Sequence, residues 1–424
     1  MKFAALLMLA AVANAEVHRL TLKQAAARAL AQNPDGIIAR LDEQAAQQRA
    51  RAARDPFFPK IYAGSGLAYS SGFPMSIEGS APSIVQARAV GTVFDRSKSY
   101  QLAQTRELAR GAGIATEAKL DDAVLRTVQL WLDAGQAARN AEAAQRQLET
   151  TGKLEDLMRA RVEAGRELPL ESKKASLETA KARQRTQSYE SERDLLQSNL
   201  AAVLGFAPGD RVEPAEGERP LPELPLTEEA AREQAWKQNK ELRQIESNLA
   251  AKELEAKSIR ALRLPKLDLV AQYGLFAKFN NYEEYFNRFQ RNNGQIGVSV
   301  QVPLLLGPAA SAEFARTAVE TMRLRTERIA TRNRIALEIE EDYQALRRAQ
   351  SSLEVSRLDL DVARESLDVL LKRFEIGEGD LAGVETARRL ESEKWIAWYT
   401  ARHQLERAGW ALMHRTGTLT AALR

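Results

Sequence analysis

The sequence predicts a mainly α-helical chain with a small β section, built from one structural plan used twice. Three observations carry this. Two stretches 206 residues apart match marker for marker: Leu20-Thr21, Asn33 and Pro59-Lys60-Ile61 in one, Leu226-Thr227, Asn239 and Pro265-Lys266-Leu267 in the other. A later marker recurs 212 residues apart, as Arg161-x-Glu163-x-Gly165 and Arg373-x-Glu375-x-Gly377. The change in spacing places an insertion between the second and third markers, and a unit of roughly 200 residues is far too long for a solenoid repeat. Finally, only 6% of the 424 residues are aromatic while 28% are charged, a balance that suits long helices better than several globular cores.

The elements follow in order. Lys2, the apolar run Phe3 to Val12 and Ala13-Asn14-Ala15 read as a secretory signal peptide over residues 1–15. No later run is long and apolar enough for a membrane-spanning helix. Cysteine is absent, which excludes disulfides and a thiol for a lipid anchor. Residues 20–56 are expected to be helical, broken near Asn33-Pro34 because proline disfavours helix at the residue before it. Segments 60–70 and 84–94 look extended. From Ser97 to Val162 there is no proline, so one helix of about 100 Å is expected at 1.5 Å per residue. A turn over Gly165–Pro169 reverses it, and a returning helix runs to about Leu204-Gly205. Pro208, Pro214, Pro220, Pro222 and Pro225 mark a linker of polyproline character. The second copy gives a helix over 227–262 and strands near 266–276 and 295–304. A long helix over 309–375, a turn at Gly377-Glu378-Gly379 and a helix to about 416 complete it. The organisation expected is a signal peptide at 1–15, a first repeat at 16–206, a Pro-rich linker at 207–225 and a second repeat at 226–424.

The strands carry the clearest pattern. Leu267 and Leu269 alternate with Asp268, and Ile296, Val298, Val300 and Val302 alternate with Gly297, Ser299 and Gln301. In the first copy Val85, Ala87, Ala89, Gly91 and Val93 oppose Gln86, Arg88 and Thr92. Period-two segments of about ten residues suit a transmembrane barrel strand, apolar to lipid and polar to lumen. A half-buried soluble sheet shows the same alternation. The export signal and the matching hairpins favour lipid, with Leu267, Leu269, Ile296, Val298, Val300 and Val302 facing it. Four strands in lipid leave two unpaired edges, each unsatisfied group costing several kcal/mol. Such a sheet must close by association with other chains. The helical hairpins start where the strands end, so closure also arranges the helices in a ring, and the product is a conduit.

In the second long helix Ile339, Leu346, Leu353, Leu360, Leu367 and Phe374 recur every seven residues, with Ala349, Ser356, Ala363 and Leu370 three residues after most of them. That is a coiled-coil seam with small residues permitting close approach. The first long helix is less regular, with Ala134, Ala141 and Leu148 in the equivalent places.

These residues resemble the TolC-like outer-membrane efflux proteins over nearly the whole mature chain. The resemblance rests on the repeat openings at Leu20 and Leu226, the strand openings at Pro59 and Pro265, Val300-Gln301-Val302-Pro303-Leu304, and the turns at Gly165 and Gly377. It implies a homotrimer with a twelve-stranded barrel, four strands per chain, in the outer membrane, continued by a long periplasmic α-helical barrel. It also implies docking on a periplasmic adaptor and an inner-membrane pump; a passive duct of this kind is expected to need no cofactor. By that resemblance Val162, Glu163, Ala164, Gly165 and Arg166, with Phe374, Glu375, Ile376, Gly377 and Glu378, are the tips that contact the adaptor. Members narrow the closed tip with acids after the turn, and Glu171, Asp380 and Glu385 are the imperfect matches here. Like charges there would favour cations and resist closure.

Other chemistry is thinly represented. His18, His403 and His414 lack ligand spacing and read as surface or packing residues. There is no Gly-rich phosphate loop, G-x-S-x-G or H-E-x-x-H. Basic residues alternate with acidic ones at a net charge of +4, which is not a nucleic-acid footprint. Tyr273, Phe276, Phe279, Tyr282, Tyr285, Phe286 and Phe289 read as an interfacial girdle and loop lining. The reading is a passive exit duct for small toxic molecules and not an enzyme. The alternative is a periplasmic coiled-coil scaffold or adaptor that never spans lipid.

Overall fold

The computed structural model describes residues 16–66, 83–215, 227–276, 290, 292–376 and 381–423. The expected signal peptide lies outside them, as do Gly377, Glu378, Asp380, most of the aromatic cluster and the end of the Pro-rich segment. In chain order the elements are β1 Val17–Leu20, α1 Leu22–Gln32, α2 Pro34–Ala52, β2 Lys60–Gly66, β3 Ser83–Phe94, α3 Arg96–Glu163 and α4 Pro169–Val203. The second half gives β4 Arg211–Pro214, α5 Glu228–Gln238, α6 Lys240–Ala261, β5 Lys266–Phe276 and β6 Asn292–Gln301. It ends with α7 Pro308–Glu375, α8 Leu381–Thr416 and α9 Leu419–Leu423. Three of the extended segments and both long helical hairpins stand where the sequence put them; the fourth, expected near 295–304, runs over Asn292–Gln301, so that Val302 lies just past its end.

The described residues form two compact units, each drawing on both repeats. One unit comprises residues within 1–40, 116–240 and 331–424, and the other 41–115 and 241–330. The helices α3 and α7 contribute to both.

In the first unit the repeat markers are structural punctuation. Leu20 ends β1 and Thr21 caps α1: its hydroxyl accepts from the Gln24 amide at 3.4 Å, while the Gln24 side chain accepts from the Thr21 amide at 3.0 Å. This reciprocal box satisfies two of the donors that every helix start leaves over. Thr227 repeats half of it, accepting from the Ala230 amide at 3.2 Å. Asn33 and Asn239 end α1 and α5 in extended conformation, with ψ of 129° and 125°. Asn33 Nδ2 then donates to the Val203 carbonyl at 2.8 Å, and Asn239 Nδ2 to the Arg415 carbonyl at 3.3 Å. Each asparagine thus ties its short helix to the last turn of its own returning helix.

The core of this unit packs Leu22, Ala25, Ala26 and Ala29 of α1 against Val124, Val128 and Trp131 of α3, with Leu200 and Leu204 of α4 and Trp410 and Met413 of α8. Trp131 Nε1 donates to the Leu20 carbonyl at 3.0 Å, so the buried indole keeps its hydrogen bond. Along the heptad seam of α7, Ile339, Leu346 and Leu360 are buried beside Ala349, Ser356 and Ala363, while Leu353, Leu367 and Leu370 are half-buried. Antiparallel pairing within each hairpin is marked by Ser176 to Glu155 at 2.7 Å, and by Lys394 to Asp359 at 2.7 Å and Arg415 to Glu338 at 2.9 Å.

The structure adds three features to the sequence reading. Residues 211–214, within the span read as a polyproline linker, form β4, which pairs in parallel with β1 from Val17↔Arg211 to Leu20↔Pro214. Val212 is fully buried there, so apolar burial holds the segment as a strand. The helix expected over 227–262 breaks at Asn239, as the first copy breaks at Asn33, although no proline follows. The chain also closes with α9, whose Leu419 and Leu423 are buried in the core.

In the second unit β2, β3, β5 and β6 form one antiparallel sheet in that order. In this unit α6 meets the start of α3 through small residues: Ser258 Oγ and Ser97 Oγ are 3.1 Å apart, and Ala251 is buried. Lys252 Nζ lies 2.8 Å from Glu255 and 2.7 Å from Glu320, joining α6 to α7.

Candidate functional site

The register of the sheet decides which side chains share a face, because directly opposed residues of antiparallel strands point the same way. Ile61 opposes Ala89, which opposes Ala271, which opposes Ile296. Gly91 opposes Leu269, which opposes Val298, and Leu267 opposes Val300. The apolar sets of four separate segments therefore merge into one surface. Ile61 is 75% exposed, Ile296 79%, Val298 64%, Val300 59%, Val302 54% and Leu269 44%; Leu267 is half-buried. The other face carries Arg88 opposite Gln272, Gln272 opposite Gln295, and Asp268 opposite Ser299. Tyr62, Val90 and Val270 interrupt its polarity. An exposed apolar surface of this extent, backed by a polar one, has to be covered by something.

Both edges are open. Among the described residues β2 and β6 each have one strand neighbour only, so each presents a row of backbone donors and acceptors. No helix among the described residues is long and apolar enough to cross a membrane, a statement about helices alone.

The first of the two sequence-identified tips is a tight reversal. The Arg166 amide donates to the Arg161 carbonyl at 2.9 Å and the Gly165 amide to the Val162 carbonyl at 3.0 Å. That is a Schellman helix end, and Gly165 takes the positive φ, 70°, that it needs. Glu163 is the last residue of α3, Ala164 follows it, and Arg166 is exposed. Pro169 opens α4, where its missing N–H costs nothing. In the second copy Phe374 and Glu375 end α7 and Ile376 is 70% exposed. Of the acids suggested for a gate, Glu171 sits in the first turn of α4, bridged to Lys174 at 2.8 Å. Glu385 falls within α8.

The histidines are the residues whose role sequence reasoning missed. His403 Nε2 lies 2.7 Å from Asp133, and His414 Nε2 lies 3.0 Å from Asp122. Both pairs join α8 of the second repeat to α3 of the first. The signal was available, since the two aspartates have the same eleven-residue separation as the two histidines. The hydrogen bond from His414 holds the Asp122 carboxyl below its ordinary value, outweighing partial burial, with Lys119 and Arg415 adding to it. Among the described residues no three His, Asp or Glu side chains gather as metal ligands.

The chain combines a four-stranded sheet, apolar on one side and with one strand neighbour at each edge, with two very long helical hairpins. Residues 231–418 match the family model described as outer membrane efflux protein. A 130-residue stretch is 25% identical to the outer membrane efflux protein BepC of Brucella suis, covering 31% of this chain and 28% of that protein. A membrane protein from Pseudomonas aeruginosa has the same fold, with a TM-score of 0.75 at 16% identity over 93% of this chain and 90% of that one. The outer membrane protein VceC of Vibrio cholerae does too, with a TM-score of 0.74 at 15% identity over 93% of this chain and 96% of that one. The second repeat of the chain thus resembles the outer membrane efflux protein family, and the fold of the chain is that of outer-membrane channels of known structure.

Proposed function

We propose that the chain is the outer-membrane exit duct of a tripartite efflux system. Three copies contribute four strands each to a closed barrel in the outer membrane. Their helical hairpins continue it as an α-helical barrel through the periplasm. The observation that carries this is the register of the sheet: it gathers Ile61, Leu267, Leu269, Ile296, Val298 and Val300 on one face and leaves β2 and β6 free to pair with neighbouring copies. Lipid covers the face and closure satisfies the edges, so one arrangement removes both costs.

The turns complete the duct at its far end. The exposed Arg166, Leu168 and Ile376 surfaces meet a periplasmic adaptor, with Val162, Glu163, Ala164 and Gly165 shaping the first contact and Phe374, Glu375, Gly377 and Glu378 the second. Glu171, Asp380 and Glu385 set the charge of the narrowed tip; its own Lys174 partly offsets Glu171. Transport is passive, and energy comes from an inner-membrane pump that delivers small toxic molecules. The test is membrane fractionation with unboiled gel electrophoresis. A heat-modifiable trimer in the outer membrane, together with sensitivity to toxic compounds on deletion, is the expected result. A single-copy protein in the soluble periplasmic fraction would overturn the reading.

A further inference from the structure

The duplication extends to contacts as well as elements. Residues of the short helices correspond at a spacing of 206. The long helices correspond at 212, since α3 and α7 are each 68 residues long and begin at Arg96 and Pro308. Contacts obey the same mapping: Asn33 with Val203 becomes Asn239 with Arg415.

Among the described residues, one seam between the repeats has no counterpart inside the chain. The helix α6 of the second repeat packs on α3 of the first. Ser247 Oγ donates to the Glu107 carbonyl at 3.0 Å and also lies 3.0 Å from the Glu107 carboxylate. Gly111 allows this closeness, since a Cβ there would sit 3.0 Å from Ser247 Oγ and 3.8 Å from Asn248 Oδ1. Ser258 meets Ser97 further along, at 3.1 Å.

The equivalent seam would join α2 of the first repeat to α7 of the second. Ser247 and Glu107 correspond there to Leu41 and Val319, Asn248 and Gly111 to Asp42 and Arg323, and Ser258 and Ser97 to Ala52 and Ala309. Leu41 is 57% exposed and Val319 68%, so the chain does not cover them itself. The chemistry changes in step on both sides. A hydrogen-bonded pair becomes two aliphatic residues, a serine pair becomes two alanines, and a close amide–glycine approach becomes an acid facing a base. One correspondence does not follow: Glu255 and Gln104, 2.8 Å apart, map to Arg49 and Arg316. Arg316 is neutralised within its own helix by Glu313 at 3.1 Å and Glu320 at 3.2 Å.

We infer that α2 of one copy docks on α7 of a second copy of this chain, Leu41 packing on Val319 and Asp42 pairing with Arg323. The sheet obeys the same alternation. The chain joins its repeats by pairing β3 with β5, and the strands left for the next copy are β6 and β2. The inference rests on the duct reading for the presence of several copies, and it assigns the residues by which they meet.

The absence of cysteine makes the test direct. Leu41→Cys with Val319→Cys is oxidised in the full-length protein purified in detergent. Covalent multimers should form at least about tenfold faster than with Leu41→Cys and Val355→Cys, since a disulfide needs Cα atoms within about 7 Å; Val355 lies 36 residues further along α7. An intact oligomer by native mass whose two pairs cross-link equally slowly overturns the contact and leaves the duct standing. A single-copy native mass overturns both. A second measurement avoids cysteines: Asp42→Arg should lower the temperature at which the oligomer dissociates, and Arg323→Asp in the same chain should restore most of the loss. No restoration overturns the pairing.

Discussion

The backbone of Gly205 lies against the carbonyl of Gln32, so close that a Cβ on the glycine would sit 2.5 Å from the Gln32 oxygen. Gly205 ends α4 with φ of 72°, its amide bound to the Ala202 carbonyl and the next amide to the Ala201 carbonyl. The second repeat does the same at Gly417, φ 77°, where a Cβ would lie 2.9 Å from the Gln238 oxygen. Gly165 has a similar φ of 70° with nothing within 4 Å. Left-handed backbone costs a non-glycine residue about 1–2 kcal/mol. Gly165→Ala should cost about that and no more. Gly205→Ala adds a clash with backbone, which cannot move aside as a side chain can, and should cost more than about 3 kcal/mol. Denaturation midpoints of the two variants rank them, and equal losses would refute the role of the Gln32 contact.

Asn33 holds the same junction from the other side. It is buried, donating to the Val203 carbonyl and accepting from the Gly36 amide at 3.0 Å. Asn33→Ala leaves a buried donor and acceptor without this partner, a cost of about 1–3 kcal/mol. Asn33→Asp should keep the acceptor, and with it the Gly36 bond, but lose the donor. Denaturant unfolding of both variants should therefore place Asn33→Asp between Asn33→Ala and the parent protein near neutral pH.

The sheet gives a face-specific prediction. Val298→Arg and Val300→Arg put charge on the apolar face and should each cost about 2–4 kcal/mol near the bilayer midplane. Ser299→Arg, between them on the polar face, should be tolerated. The readout is the amount of heat-modifiable oligomer in outer-membrane fractions. Equal loss for all three would contradict a lipid-facing side.

The Asp122–His414 pair predicts an acid limit. The Asp122 carboxyl titrates below its ordinary 3.8 when folded. Its contribution to stability is therefore fully present above that value and disappears as pH falls through the lower folded one. Asp122→Asn should be less stable than the parent at pH 6, and the difference should shrink as acid unfolding is followed below about pH 4. A gap that persists unchanged at low pH would show that the pair's charge is irrelevant.

Much of the architecture was legible because it is written in local rules. Proline-free runs gave α3 and α7, period-two alternation gave three of the four strands while β2 alternates only weakly, and the doubled markers gave the order. The features that stayed hidden depend on partners far away in sequence. Four-residue β4 has no periodicity to reveal, and its strand partner β1 lies 194 residues earlier. Pro208 and Pro214 pointed instead to an open linker. The break at Asn239 lacks the proline that exposed its twin at Asn33; what sets it is the reach of the asparagine to Arg415. The seam we assign to a second copy rests on the exposure of Leu41 and Val319, which sequence alone does not reveal. The tip glycine was legible because a positive φ has few suitable residues, whereas the acids beside it sit among many solvated carboxylates.

That α3 and α7 have the same number of residues has an evolutionary consequence. Inserting a single residue into one of them would rotate everything beyond by about 100° and lift it about 1.5 Å relative to its twin. Lengthening or shortening of these rods should therefore be inherited in matched pairs, and a lineage that altered one alone would need a compensating change in the other before its two repeats again matched.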